Sequence, residues 1–197
     1  MTTEKKYHHG NLRPALVRAG LDLLEAEGLD RLSLRACAER VGVSHTAPKN
    51  HFGNFAGLLT AIAVEGYAML LQEMRRDLPD DASQADQRNA AFRGYVAFAR
   101  AHPALFELMF SRRKLDFADP VLKAPLAACA EVLRTVSAGM IWDKMDTPEA
   151  ETRAQMLNWC LVHGFAQLTV QGVFDKDGMR HLGIGDILPE IPYRAGS

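Results

Sequence analysis

Apolar positions in this 197-residue chain recur every three or four residues from end to end. No useful run of two-residue alternation interrupts them, so the pattern predicts an all-α fold. Leu12, Leu16, Ala19 and Leu23 form the stripe of a first helix, capped by Asn11, running to about Ala26 and stopped by Gly28. A second helix, Ser33 to Val41, carries Leu34, Cys37, Ala38 and Val41 on one face and leaves Arg35, Glu39 and Arg40 outside. A third pattern, Ser44 to His51, follows after a Gly42-Val43-Ser44 turn. Both short helices are expected to start on a serine whose hydroxyl accepts from an otherwise unpaired backbone N–H. Leu32 and Val43 precede these caps and can close hydrophobic staples against Cys37 and Pro48. Gly42 supplies the positive φ that a helix end commonly needs, and so short a turn sets the two helices at a steep angle.

A fourth helix is predicted from about Phe55 to Asp77, with Leu58, Leu59, Ile62 and Leu70 inward. Residues 79–87 are polar and acidic and read as a loop, and helical patterns follow near 88–101, 103–112, 120–143 and 148–174. Helix 120–143 has a solvent stripe of Lys123, Ala127, Glu131, Arg134 and Ala138 opposite Leu122, Leu126, Cys129, Leu133, Val136 and Met140, which makes it a packing helix. The next is apolar nearly all round between Leu157 and Val173, so it must be covered on more than one side. Its own domain covers one side and a second copy of the chain another, with Gly164, Leu168 and Gly172 at the expected dimer interface and the glycines permitting close approach. Ala154 to Phe174 lacks formal charge, but Gln155, Asn158, His163, Gln167, Thr169 and Gln171 make it too polar to span a membrane. Beyond about Asp175, Gly178, Gly183, Gly185, Pro189 and Pro192 indicate irregular chain.

Two short capped helices joined by a tight turn read as a helix-turn-helix, whose second helix enters the DNA major groove. At about 100° per residue, His45, Thr46, Lys49 and Asn50 share an arc of roughly 140°. That arc is short, polar and hydrogen-bonding. His45, Thr46 and Asn50 suit base edges, and Lys49 suits a phosphate or guanine. Ser33, Arg35, Ser44 and His51 complete the candidate contacts. Ordinary helical corners use the same turn, so the spacing alone leaves both readings open.

Net charge is −1, with 23 Lys+Arg against 24 Asp+Glu, yet residues 1–55 hold 8 of the basic and 6 of the acidic groups. The N-terminal segment is the side suited to phosphates, although the imbalance is modest. Cys37, Cys129 and Cys160 lack paired metal or redox spacing, which suits a reducing cytoplasm. The first thirty residues hold Lys5, Lys6 and a charged amphipathic helix rather than a signal peptide. Cys160 and His163 stand at i, i+3 without a second ligand pair, and no nucleophile elbow, phosphate loop or paired carboxylate motif is visible. No metal, cofactor or catalytic site is expected.

Three segments together resemble the TetR family of transcriptional regulators: Tyr7-His8-His9-Gly10-Asn11-Leu12-Arg13, Leu32 to Ala38, and Gly42 to Pro48 closing on His51-Phe52-Gly53. Trp159-Cys160-Leu161-Val162-His163-Gly164 is similar to the Trp-x-x-x-His-Gly signature of one subclass of TetR-type C-terminal domains, and His102 to Phe110 to the segment preceding it. The resemblance implies a helix-turn-helix domain over 1–54 and an effector-binding and dimerisation domain over 55–197. It also implies a homodimer on double-stranded DNA with an inverted-repeat operator, half-sites about one turn or 34–36 Å apart, and repression relieved by a small molecule. Where the family usually has a phosphate-contacting Tyr this chain has Lys49, and where a Lys usually opens the fourth helix it has Phe55, so the cation has moved by six residues. Tyr95, Phe98, Phe106, Met109, Phe110, Met140, Trp159 and His163 are enough large groups to line an effector pocket, or simply to fill a core. Alternative readings are a helical-bundle enzyme and a DNA-binding protein without an effector.

Overall fold

The computed structural model describes residues 12–76, 81–142, 147–176 and 178–194. Asn11, Lys5 and Lys6, expected as a helix cap and a basic arm, lie outside the described residues. The described chain is all-helical, and a single antiparallel bridge, Met140 to Tyr193, is its extended pairing. It forms two compact units, one holding the described residues up to Gly66 with Ala104–Lys123, the other Tyr67–Pro103 with the described residues from Ala124 onward. The sequence division after Asn54 falls at the start of a helix, whereas the units divide within that helix, which continues unbroken.

In the first unit, α1 (Leu12–Glu27) buries Leu16, Val17, Ala19, Leu23 and Leu24. After a 3₁₀ turn at Leu29–Arg31 come α2 (Leu34–Val41) and α3 (Ala47–Phe52), and both pack with α1. Leu32, Cys37 and Ala38 are buried at this junction. α4 (Phe55–Arg75) sends Leu58, Leu59 and Ile62 into the core. It is also the described helix long and apolar enough to cross a membrane, but half of its apolar window is buried in protein. The short α6 (Pro103–Met109) contributes Leu105, Phe106, Leu108 and Met109.

The second unit is built on α5 (Gln84–Ala101), which packs against α8 (Ala150–Val170) and α9 (Ile184–Ile187). α7 (Pro120–Ser137) passes from the first unit into the second. Buried Asn158 of α8 donates to the Ser137 hydroxyl at 2.8 Å, which donates to the Leu133 carbonyl at 2.7 Å, so a hydrogen-bonded polar step ties α7 to α8.

Several boundaries differ from the periodicity. α5 begins four residues before the expected 88, because Ser83 accepts from the Asp86 N–H at 3.2 Å and caps a turn whose polar residues read as loop. α7 and α8 stop at Ser137 and Val170, short of 143 and 174, each followed closely by a glycine with positive φ, Gly139 and Gly172. α6 ends at Met109 rather than 112. The stretch beyond Asp175, expected to be irregular, contains α9 with Ile184 buried and the strand-like contact at Tyr193.

Candidate nucleic-acid interface and interior cluster

α2 starts as its sequence dictates. Ser33 is extended, and its hydroxyl accepts from the Ala36 N–H at 3.0 Å. At the other end Gly42 is left-handed (φ 78°), and the N–H groups of Val43 and Gly42 return to the carbonyls of Ala38 and Glu39, a Schellman closure that pairs two orphan acceptors. A side chain here would be strained by its backbone.

The start of α3 corrects the expected Ser44 cap. A helix capped at Ser44 would need residue 48 to donate to the Ser44 carbonyl, and Pro48 has no N–H. The Ser44 carbonyl instead accepts from Ala47 at 3.0 Å, Thr46 takes the cap position, and the first helical bond is Asn50 N–H to Thr46 carbonyl at 3.4 Å. Ser44 Oγ turns to Thr46 Oγ1 at 3.1 Å. His45 and Thr46 therefore sit in the turn leading into α3 rather than on the helix itself. Pro48 is buried, while Ser44, His45, Thr46, Lys49, Asn50 and His51 are all exposed.

Ser33 and Arg35 are exposed as well, but Arg35 is engaged: its Nε lies 2.8 Å from Glu39 Oε1 across one turn. That hydrogen bond, with His45 contributing at longer range, holds the Glu39 carboxyl below its ordinary value. Arg35 must leave or share Glu39 to reach a phosphate, whereas Lys49 is an exposed cation in the last turn of α3. Phe55, standing where a cation was implied, is 36% exposed and carries no charge.

The far end of α3 is fixed by residues that sequence reasoning passed over. The Asn54 side chain accepts from the Gly57 N–H at 3.0 Å and so caps α4, a role its place before a helical pattern could have signalled. Asn54 N–H donates to the Phe52 carbonyl at 2.8 Å, and the Arg13 guanidinium lies 5.4 Å from the centre of the Phe52 ring. A Cβ on Gly57 would stand 2.1 Å from that same Phe52 carbonyl oxygen, so the turn from α3 into α4 closes only over glycine.

The eight pocket candidates are shared between the two units. Phe106, Met109 and Phe110 belong to the first unit, with Phe106 and Phe110 rings 5.0 Å apart. Tyr95, Phe98, Met140, Trp159 and His163 belong to the second. Met140, three residues beyond α7, has its sulfur 3.5 Å from Asn158 Nδ2 and 3.7 Å from Arg88 Nη1, and its backbone pairs with Tyr193. Tyr95, Trp159 and His163 do converge. Tyr95 Oη lies 2.9 Å from His163 Nδ1, and the Trp159 indole N–H, one turn before His163, also reaches the Tyr95 hydroxyl. Indole is a donor only, so Tyr95 accepts from Trp159, while the imidazole tautomer sets which partner donates in the Tyr95–His163 bond. Burial lowers the His163 pKa, and burial, then Tyr67 and Cys129, push that of Tyr95 far up. All three groups are neutral at pH 7.

α8 also presents an unpartnered apolar face. Met156 is 58% exposed, Trp159 49% and Leu168 40%, with Cys160 exposed and Gly164 half-buried on the same side. Spacings of three and four residues place these on one stripe. Gly172 stands just beyond the helix end in a left-handed conformation (φ 69°).

Residues 88–182 match the family model described as the tetracycline repressor-like C-terminal domain. A helix-turn-helix-type transcriptional regulator of Mycobacterium tuberculosis is 24% identical over 163 residues, 83% of this chain and 72% of that protein. The class A tetracycline repressor protein from transposon 1721 of Escherichia coli is 42% identical over 64 residues, 32% of this chain and 28% of its own length. A solved structure from Rhodococcus sp. RHA1, of unknown function, superposes with a TM-score of 0.73 at 27% identity, over 93% of this chain and 92% of that one. In its C-terminal half, its N-terminal segment and its fold the chain is similar to the TetR family of DNA-binding transcriptional regulators.

Proposed function

We propose that the protein is a homodimeric repressor that holds an inverted-repeat operator and releases it when a small molecule binds. The observation that carries the DNA half is the exposed, uniformly polar set His45, Thr46, Lys49 and Asn50, mounted on a turn and helix closed at both ends. Thr46 and Asn50 read base edges, Lys49 anchors a phosphate in place of the family's tyrosine, and Ser33, Arg35, Ser44 and His51 form the rim. Residues 1–54 are the DNA-binding segment, and 55–197 serve the effector and the dimer.

The dimer forms through α8, where Met156, Trp159 and Leu168 lose water and Gly164 admits a close neighbour. The effector is read at the Tyr95–Trp159–His163 cluster, with Phe98 behind it. Because Trp159 takes part in both, a ligand that breaks its bond to Tyr95 changes the dimer face and hence the spacing of the two α3 helices. Repression follows the tetracycline repressor relative, and the site of action is the cytoplasm.

Selection from a random DNA pool by the full-length protein tests this reading. It should enrich an inverted repeat with half-site centres about 10 base pairs apart or a multiple of that spacing, and a Thr46→Ala/Asn50→Ala variant should enrich nothing. Enrichment of single or direct half-sites would refute the symmetric dimer.

A further inference from the structure

The second unit contains a polar slot that neither the DNA face nor the Tyr95 cluster uses. Arg88, in the second turn of α5, is 3% exposed. A guanidinium is buried at a cost unless its charge is matched, yet its contacts are neutral: Nη2 donates to the Pro189 carbonyl at 2.8 Å and Nη1 faces the Met140 sulfur at 3.7 Å. Its Nε–H has no acceptor. Among the described residues no carboxylate lies within ion-pair distance of Arg88. The adjacent Asn89 hides its side-chain oxygen from water and offers it no donor.

Arg88 and Asn89 both line one cleft, of about 640 Å³, between α5 and residues 185–192. Ala85, Leu188 and Ile191 give it apolar walls, and Glu190 stands at its exposed side. The far wall is fixed in place, because Ile141 N–H donates to the Pro192 carbonyl and Arg194 N–H to the Gly139 carbonyl, each at 2.8 Å. An unpaired buried cation, an unpaired acceptor beside it and apolar walls therefore meet in one pre-formed space. Buried polar groups left unpaired in a native fold call for a partner.

We propose that this cleft binds a small organic carboxylate with an apolar body and a hydroxyl or amino group next to the carboxylate. Both orphan atoms are closed off from water, so binding turns the Arg88 and Asn89 side chains into the cleft: the carboxylate then accepts from Arg88 Nε, the neighbouring donor reaches Asn89 Oδ1, and the apolar body lies against Ala85, Leu188 and Ile191. The site is separate from the effector reading above and stands without it, since nothing in its test involves DNA.

Isothermal titration of the full-length protein with mandelate, phenylacetate and the neutral mandelamide provides the test. Mandelate should bind saturably at one site per chain, while phenylacetate, lacking the hydroxyl, and mandelamide, lacking the charge, should each bind about tenfold or more weakly. Ala85→Trp, which fills the cleft and leaves the cation, should abolish binding with the helical circular dichroism unchanged. Arg88→Lys, which keeps the charge but has no Nε donor in that place, should weaken it about tenfold. Glu190→Gln, which removes the opposing carboxylate, should tighten it. The absence of saturable binding by either carboxylate would overturn the proposal, as would mandelamide binding as well as mandelate, or binding that survives Ala85→Trp.

Discussion

Replacing Gly57 with alanine is predicted to destabilise the protein, against what helix propensity alone requires. Gly57 lies in the first turn of α4 with a negative φ, and there alanine is the better helix former by up to about 1 kcal/mol. The added Cβ, however, would stand 2.1 Å from the Phe52 carbonyl oxygen and 3.1 Å from its carbon, and both are backbone atoms that cannot rotate away. Ordinary contact requires more than an ångström of extra separation, so the end of α3 must shift. Overpacking of this kind costs about 1–3 kcal/mol. The middle of that range, about 2 kcal/mol, less the full propensity gain leaves a net loss of about 1 kcal/mol, a fall of roughly 2–4 °C in melting temperature for a chain of this size. Because the displaced carbonyl also accepts the Asn54 N–H, operator affinity should fall along with stability. Thermal denaturation with parallel DNA binding reads both quantities. A variant as stable as the parent, or more so, would refute the tight α3–α4 closure.

Three further outcomes follow from named groups. Lys49→Ala should lower the slope of log affinity against log salt by about 0.9 for each phosphate it no longer neutralises, about 1.8 if two subunits bind one operator, measured by a salt titration of DNA binding. Burial holds His163 below its ordinary 6.5, so below that value the unfolded chain binds more protons than the folded one; this part of the stability is present above about pH 6.5 and is lost as pH falls through the depressed folded value. Melting temperatures between about pH 7.5 and 5.5 should therefore drop less in His163→Gln than in the parent. Burial pushes the Cys37 and Cys129 thiols up to about 11, while Cys160 is exposed on the α8 face, so a thiol reagent should label Cys160 alone in the native state. That labelling should slow as protein concentration rises and the proposed dimer covers α8.

Helix identity was legible wherever apolar periodicity ran long enough to dominate. The inward residues of α1 and α4, the Ser33 cap and the Gly42 stop stand where their sequence positions require. Boundaries failed where one backbone group overrode the pattern: Pro48 withheld the hydrogen bond that a Ser44 cap needs, and Ser83 began α5 inside a stretch that read as loop. The exposure of His45, Thr46, Lys49 and Asn50 was readable because exposure and polarity are local properties. The interior cluster was half readable: the one-turn spacing of Trp159 and His163 is in the sequence, but the Tyr95 hydroxyl they share comes from another helix 68 residues from His163. Arg88 gave no signal at all, since nothing in a sequence separates a buried arginine from a solvated one.

The most direct test of the account is fluorescence anisotropy of the full-length protein on labelled DNA from immediately upstream of its own gene. It should be run against scrambled DNA and the Thr46→Ala/Asn50→Ala variant across a salt series. The account predicts selective, salt-sensitive binding that the double variant loses while keeping its melting temperature. Equal affinity of the parent for both DNAs, or undiminished selectivity in the variant, would contradict the assignment of base reading to the exposed face around α3.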